Sequence, residues 1–159
     1  MLLAVLTVSD RCSQGLLSDT AGPAVAALLG RLWPQAELRT GLVPDDEDLI
    51  AATLEKLVLQ DAALVLTVGG TGLGPRDRTP EATRRVLDRE APGLAEAMRS
   101  LGAATHPFAW LSRGVAGLKG GTLIVNLPGS RRGAEESLSF ILPLLEHALE
   151  VAAGGQAHP

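Results

Sequence analysis

The densest chemistry in this 159-residue chain lies in Thr67-Val68-Gly69-Gly70-Thr71-Gly72-Leu73-Gly74-Pro75-Arg76-Asp77-Arg78-Thr79-Pro80. Glycines let backbone amides approach a ligand closely and point inward together, which suits phosphate oxygens. The segment is not a Walker loop, because no Gly-Lys-Ser/Thr closes it. Its Gly70-x-Gly72-x-Gly74 spacing is not the dinucleotide G-x-G-x-x-G. A plain strand-to-helix connection, with Thr79 as N-cap and Pro80 at the first helical position, is the simpler alternative. Four glycines between Gly69 and Gly74 exceed what such a connection needs. Asp77 sits beside them, between Arg76 and Arg78. A carboxylate next to a phosphate site is repulsive unless a hard cation lies between, and Mg²⁺ held by one or two carboxylates plus substrate phosphates is the usual arrangement. The alternative for Asp77 is a loop acid paired with a neighbouring Arg. Asp45, at the end of a predicted second strand, is the natural second carboxylate, or else the N-cap of the helix through Leu54. Asp46, Glu47 and Asp48 read as first-turn acids that complement the helix dipole.

Two further strand ends carry polar groups: Ser9-Asp10 and Asn126-Leu127-Pro128-Gly129-Ser130, either of which also serves as a turn or cap. His106, His147 and His158 are scattered without ligand spacing. Cys12 is the single cysteine. It excludes an intrachain disulfide framework and a multi-cysteine zinc site, and reads as a small filler residue of a reducing, cytoplasmic setting. No Gly-x-Ser-x-Gly elbow is present, so serine hydrolase chemistry has no support.

The elements that must position these residues follow from periodicity. Leu2 to Val8 is a nearly continuous apolar run, as in a buried parallel strand. Ser18-Asp19-Thr20 precedes a helix with Val25, Leu28, Leu29 and Leu32 on one face. Glu37 to Val43 forms a second strand, and Ile50, Leu54, Leu57 and Val58 mark the next helix. Ala63 to Val68 is a third strand, the glycine loop follows, and Pro80 opens a helix that Ala91-Pro92-Gly93 breaks before another short one. A strand or hairpin is predicted around Trp110-Leu111-Ser112, with Gly114, Gly117, Gly120 and Gly121 as turns. Thr122 to Leu127 is a further strand. Leu138, Ile141, Leu142, Leu145, Leu149 and Ala152 form a last helix despite Pro143. This alternation predicts one three-layer αβα domain over residues 1–152 with a mostly parallel sheet, and a loose tail over 153–159. Ligands of such sheets sit beyond the carboxyl ends of the strands, where the three candidate segments fall.

Apolar residues at 46 % and charged residues at 20 % exclude a disordered chain. The first eight residues lack a basic lead and meet Asp10-Arg11 at once, so neither a signal peptide nor a membrane span is expected. Residues 76–132 hold ten of the fourteen Lys and Arg and five of the eighteen acids, a net charge of +5 on a chain of −4. That distribution suggests a local anionic ligand or a solvated arginine-rich face. It does not suggest duplex nucleic acid, which usually needs a basic domain, because the pI is about 5.3, and no nucleic-acid partner is expected.

The same residues carry a family resemblance. Thr67 to Gly72 followed by Arg76 to Ala82 resembles the signature of the MogA/MoaB molybdenum-cofactor family. Leu6 to Arg11, Val43-Pro44-Asp45, Asp88 to Gly93, Leu111-Ser112-Arg113 and Asn126 to Ser130 resemble its other blocks in the right order. The stretch from Asn126 to Leu149 is similar to the gephyrin G domain. The resemblance spans about residues 3 to 152. It implies the molybdopterin-binding (MogA-like) fold and molybdopterin adenylyltransferase activity, with ATP and molybdopterin as substrates and Mg²⁺ as cofactor. It implies a homotrimer and contact with other molybdenum-cofactor enzymes. A non-catalytic pterin-binding or trimeric scaffold protein on the same fold is the alternative.

Asp77 and Asp45 match the family's two functional aspartates and are the implied catalytic and Mg²⁺-binding pair. The implied ATP and molybdopterin contacts are Ser9, Asp10, Gly69, Gly70, Thr71, Gly72, Arg76, Thr79, Ser112, Asn126, Pro128, Gly129 and Ser130. Arg76 or Arg78 would neutralise charge that develops during transfer. The one departure is Val68, where the family commonly has a second threonine. MoaB-type members often change the Asp-x-Thr-Pro and Asn-Leu-Pro-Gly stretches. This chain keeps both, which implies the catalytically competent type.

Overall fold

The structure is a computed structural model and describes residues 1–155. Residues 156–159 of the expected tail, with His158, lie outside the described residues. In chain order the elements are β1 (Leu2–Val8), α1 (Asp10–Ser13), α2 (Ala21–Leu32), β2 (Glu37–Val43), α3 (Glu47–Leu59), β3 (Ala62–Val68), α4 (Thr79–Val86), β4 (Arg89–Glu90), α5 (Pro92–Ala103), a 3-10 turn (Pro107–Leu111), β5 (Ala116–Lys119), β6 (Thr122–Leu127) and α6 (Arg131–Ala152). The sheet runs in the order β2-β1-β3-β6-β5-β4. Its first four strands are parallel, and the β6–β5 and β5–β4 pairings are antiparallel.

The unbroken apolar runs of β1, β3 and β6 exist because both faces of the sheet are covered. On one face Leu3, Val5, Leu64, Leu66, Val125 and Leu127 meet Val25 and Leu29 of α2 and Leu138, Ile141 and Leu145 of α6. On the other, Ala4, Leu6, Val65 and Ile124 meet Ile50 and Leu54 of α3 and Ala82 and Val86 of α4. These are the outer layers of the expected αβα arrangement. Pro143 lies within α6 without ending it. Among the described residues no helix is long and apolar enough to cross a membrane.

Topology fixes the place of the site. The chain leaves β1 toward β2 on one side and leaves β3 toward β6 on the other. The helix after β1 covers one face and the helix after β3 covers the opposite face. The carboxyl ends of β1 and β3 therefore flank a switch-point crevice.

The segment from Phe108 to Gly121 differs from expectation. Trp110 and Leu111 belong to the 3-10 turn, and the hairpin is β5–β6, turned at Gly120 and Gly121. Gly117 is a strand residue, not a turn. Its missing Cβ admits the Arg89 carbonyl, so β4 can pair closely. The basic segment is no single patch either. Most of its cations are in ion pairs, including Arg85 with Glu47 and Asp48, Arg84 with Glu90 and Lys119 with Asp88.

Candidate active site

The floor of the crevice is bare backbone. Gly69, at φ 107°, donates its N–H to the Leu127 carbonyl at 3.1 Å. A Cβ there would strike the Val8 carbonyl, and a Cβ on Gly129 would lie 3.1 Å from the Gly69 Cα. Gly70, at φ 65°, would press a Cβ into the Thr79 hydroxyl and to 3.0 Å from Asp45 Oδ1. The ends of β1, β3 and β6 thus touch without side chains between them. A ligand can approach the backbone there as only glycine permits.

Three aspartates rim this floor. The Asp10 N–H donates to Asp45 Oδ2 at 2.8 Å, and the Asp45 N–H donates to Asp10 Oδ1 at 3.0 Å. This reciprocal pair ties the end of β1 to the end of β2. Arg76 closes a bidentate fork on Asp10, with Nε at 2.9 Å and Nη2 at 3.0 Å. The hydrogen bond from Arg76 holds the Asp10 carboxyl below the ordinary range against the opposing effect of burial, and the Asp45 N–H and the Arg76 charge add to the lowering. Asp45 moves the other way: burial raises it first, and the charges of Asp10 and Asp77 add to the rise. Asp77 Oδ2 accepts the Gly74 N–H at 2.8 Å, which bends the glycine loop back on its own carboxylate.

Asp45 is not the cap of α3. Asp46 holds that position, its Oδ1 accepting the Leu49 N–H at 2.9 Å. The residues fit a phosphate-bound cation. Among the described residues no hydrogen bond engages Asp45 Oδ1 or Asp77 Oδ1, and both residues border one cleft. Among the described residues no cluster of three or more metal-binding side chains exists.

Two clefts meet at this rim. The first, of about 510 Å³, lies over the switch point and is bordered by Ser9, Asp10, Asp19, Asp45 and Gly69. The second, of about 590 Å³, is bordered by Thr71, Gly72, Ser112, Pro128, Phe108 and Phe140. Gly70, Asp77, Gly129 and Ser130 border both. Ser130 caps the 22-residue α6, its Oγ accepting the Gly133 N–H at 3.1 Å. The positive end of a long helix thus lies at the shared wall, where it favours anions.

Most residues expected at the site are brought to these clefts. Ser9 does so while capping α1, its Oγ accepting the Cys12 N–H at 3.2 Å. Arg76 is engaged by Asp10 and is not a free cation aimed at the floor. Thr79 and Asn126 are buried beneath these clefts, with their polar groups bonded within the protein. Thr79 is the first residue of α4, not its cap, and its hydroxyl donates to the Gly69 carbonyl at 2.8 Å. Asn126 accepts the Val115 N–H at 3.1 Å and donates to the hydroxyls of Thr67 and Thr83, each at 2.9 Å. It ties β6 to β3, α4 and the start of β5 beneath the glycine floor. Removing one member of a buried network leaves its partners unsatisfied, at about 1–3 kcal/mol. Asn126→Ala is therefore expected to lower stability by about 3 kcal/mol, read as a shifted midpoint in urea unfolding.

Sequence reasoning missed several residues here. Asp19 signalled only a helix start. Its Oδ1 does accept the N–H groups of Ala21 and Gly22, while Oδ2 accepts the Thr7 hydroxyl at 2.6 Å inside the first cleft. The far wall of the second cleft comes from the 3-10 turn and α6, whose residues show no local motif.

A doubly wound α/β domain with a glycine floor, an aspartate rim and two adjoining clefts at its switch point is a domain built for phosphate-bearing ligands. Residues 4–147 match the family described as "Probable molybdopterin binding domain", so the chain belongs to that molybdenum-cofactor family. It is 42 % identical to the molybdopterin adenylyltransferase of Escherichia coli over 87 % of this chain and 72 % of that protein. To the molybdopterin adenylyltransferase of Helicobacter pylori J99 it is 37 % identical, over 96 % of this chain and 88 % of that protein. The crystal structure of the Thermus thermophilus molybdopterin biosynthesis enzyme MoaB superposes with a TM-score of 0.88 at 48 % identity, covering 96 % of both chains. Some relatives are longer: the chain spans 25 % of the Drosophila melanogaster protein cinnamon and 47 % of a Synechococcus elongatus bifunctional protein.

Proposed function

We propose that this protein adenylylates molybdopterin in molybdenum cofactor biosynthesis. An oxygen of the terminal phosphate of molybdopterin forms a bond to the α-phosphorus of ATP. The bond from that phosphorus to the α,β-bridging oxygen breaks, and pyrophosphate leaves with the electron pair. The observation that carries this reading is the pair of clefts sharing one wall of Gly70, Asp77, Gly129 and Ser130. Two phosphate-bearing substrates seated in adjoining clefts bring their phosphates together at that wall.

The nucleophile is already an anion, so no strong base is required, and catalysis is mainly positioning and charge neutralisation. The Gly70 amide and the start of α6 receive phosphate oxygens, while the Gly69 N–H holds the floor to β6. Asp45 and Asp77 would hold Mg²⁺ through their unengaged oxygens, and the ion supplies charge neutralisation on the triphosphate and the leaving pyrophosphate. Asp10 holds Asp45 in place, and Arg76 holds Asp10. Incubating the purified protein with ATP, Mg²⁺ and molybdopterin should yield adenylylated molybdopterin and pyrophosphate in equal amounts. Binding of both substrates without transfer would instead indicate a non-catalytic scaffold.

The protein is further proposed to work as a homotrimer. The family resemblance supports this, as do large apolar side chains left exposed on the single chain, such as Leu16, Leu59 and Phe108. Closed cyclic assemblies of identical chains bury such surface symmetrically. Light scattering at micromolar concentration is expected to give three times 16.5 kDa. A monomer mass at every concentration would refute it.

A further inference from the structure

We propose that Arg113 is the positioning residue of Asp77, acting as a staple across the glycine-rich loop; this rests on the adenylyl-transfer reading above. Arg113 lies between the 3-10 turn and β5, and its side chain turns back onto the loop. Its Nε donates to the Gly72 carbonyl at 2.7 Å and its Nη2 donates to the Asp77 carbonyl at 2.7 Å. Its backbone N–H donates to the Thr71 carbonyl at 2.9 Å. One residue thus grips both ends of the turn that runs from Thr71 to Asp77. The remaining nitrogen, Nη1, pairs with Glu81 Oε1 in the first turns of α4. The other Glu81 oxygen, Oε2, is buried and has no hydrogen-bond partner among the described residues, so Arg113 is the side chain that bonds this carboxylate.

The staple is itself anchored. Arg99 of α5 donates through Nη1 to the carbonyls of Gly114, at 2.9 Å, and Ser112, at 3.4 Å, on either side of Arg113. The planar guanidinium matters here. Its five donors lie in a fixed fork that reaches three acceptors in one plane, which a lysine ammonium cannot reproduce. The staple grips the Asp77 backbone, and the Asp77 side chain is held by the Gly74 N–H, a member of the same loop. Without the staple the turn can change shape and carry the carboxylate with it. Misplacing a reacting group by about 1 Å can lower rate about a hundredfold.

The test compares the full chain with Arg113→Lys and Glu81→Gln. Amide hydrogen exchange and steady-state transfer at varied ATP are measured on each. Arg113→Lys is expected to speed exchange in peptides covering residues 72–78 at least about tenfold, with the rest of the chain unchanged. It should lower kcat by about ten- to a hundredfold while KM for ATP stays within about twofold. Glu81→Gln keeps both carbonyl contacts and should move the same two readouts in the same direction by less. Unchanged exchange over residues 72–78 in both variants would overturn the proposal. So would a loss of rate accompanied by faster exchange across the whole chain, which marks a purely structural role. If the unmodified protein makes no adenylylated molybdopterin, the functional reading fails, while the exchange measurement still decides whether Arg113 holds the loop.

Discussion

Asp77→Asn is expected to lower adenylyl transfer at saturating Mg²⁺ by about a hundredfold or more while the protein stays folded. The asparagine carbonyl can still accept the Gly74 N–H that Asp77 Oδ2 now accepts, so the loop keeps its turn. The negative charge at the shared wall of the two clefts is lost. A charge-stabilising group of this kind typically contributes ~3 kcal/mol to lowering the barrier. Transfer rates and a thermal melt on the same preparation check it. Near-normal turnover would remove Asp77 from the reaction and leave it as a loop-bending acceptor.

The second large effect is expected at Asp45, where the structure separates two roles that the sequence leaves merged. Capping of α3 belongs to Asp46, so neither Asp45→Asn nor Asp45→Ala should uncap the helix. Asparagine can still accept the Asp10 N–H and alanine cannot. The alanine variant should therefore be the less stable of the two by about 1 kcal/mol. Both should lose transfer by on the order of a hundredfold, because both lose the charge.

A pH dependence follows from the raised Asp45 carboxyl. A carboxyl whose folded-state value lies above its ordinary 3.8 is destabilising when ionised, through burial and then through Asp10 and Asp77. Its contribution to stability is full below 3.8 and is lost as pH rises through the folded-state value. Asp45→Asn is thus expected to melt at or above the unmodified protein at neutral pH, and the gap should shrink toward acid. A variant more stable yet catalytically poor is the mark of a carboxylate kept for its charge. Equal stability at all pH values with normal transfer would show that Asp45 only ties β2 to β1.

The layered α/β architecture was legible because its cause is local. Short continuous apolar runs at Leu2 to Val8 and Thr122 to Leu127 read as strands covered on both faces, and the helical stripes between them supply the cover. The glycine loop was legible for a related reason: Gly69 and Gly70 hold backbone angles and contacts that side chains forbid, so residue type alone marked a bare floor. Asp77 and Asp45 stood out as acids at strand ends, and the family blocks singled them out further.

What the sequence did not decide was which polar group meets which. Asp45 and Asp46 are adjacent and chemically equal, and only the pairing of β2 beside β1 brings Asp45 to the Asp10 N–H and leaves Asp46 to cap. Asn126 and Thr79 looked like ligand contacts by type and position. The fold buries both, because the groups that satisfy them come from β3, α4 and the glycine loop. Arg76 looked free until β1 brought Asp10 across 66 positions of sequence to meet it. Arg113 lies 36 and 41 positions from the carbonyls it holds, and no spacing rule connects them. Burial and turn chemistry act through neighbours in the chain, so composition and period reveal them. Hydrogen-bond partnership across strands acts through neighbours in space, and only the order in which the strands pair makes those neighbours.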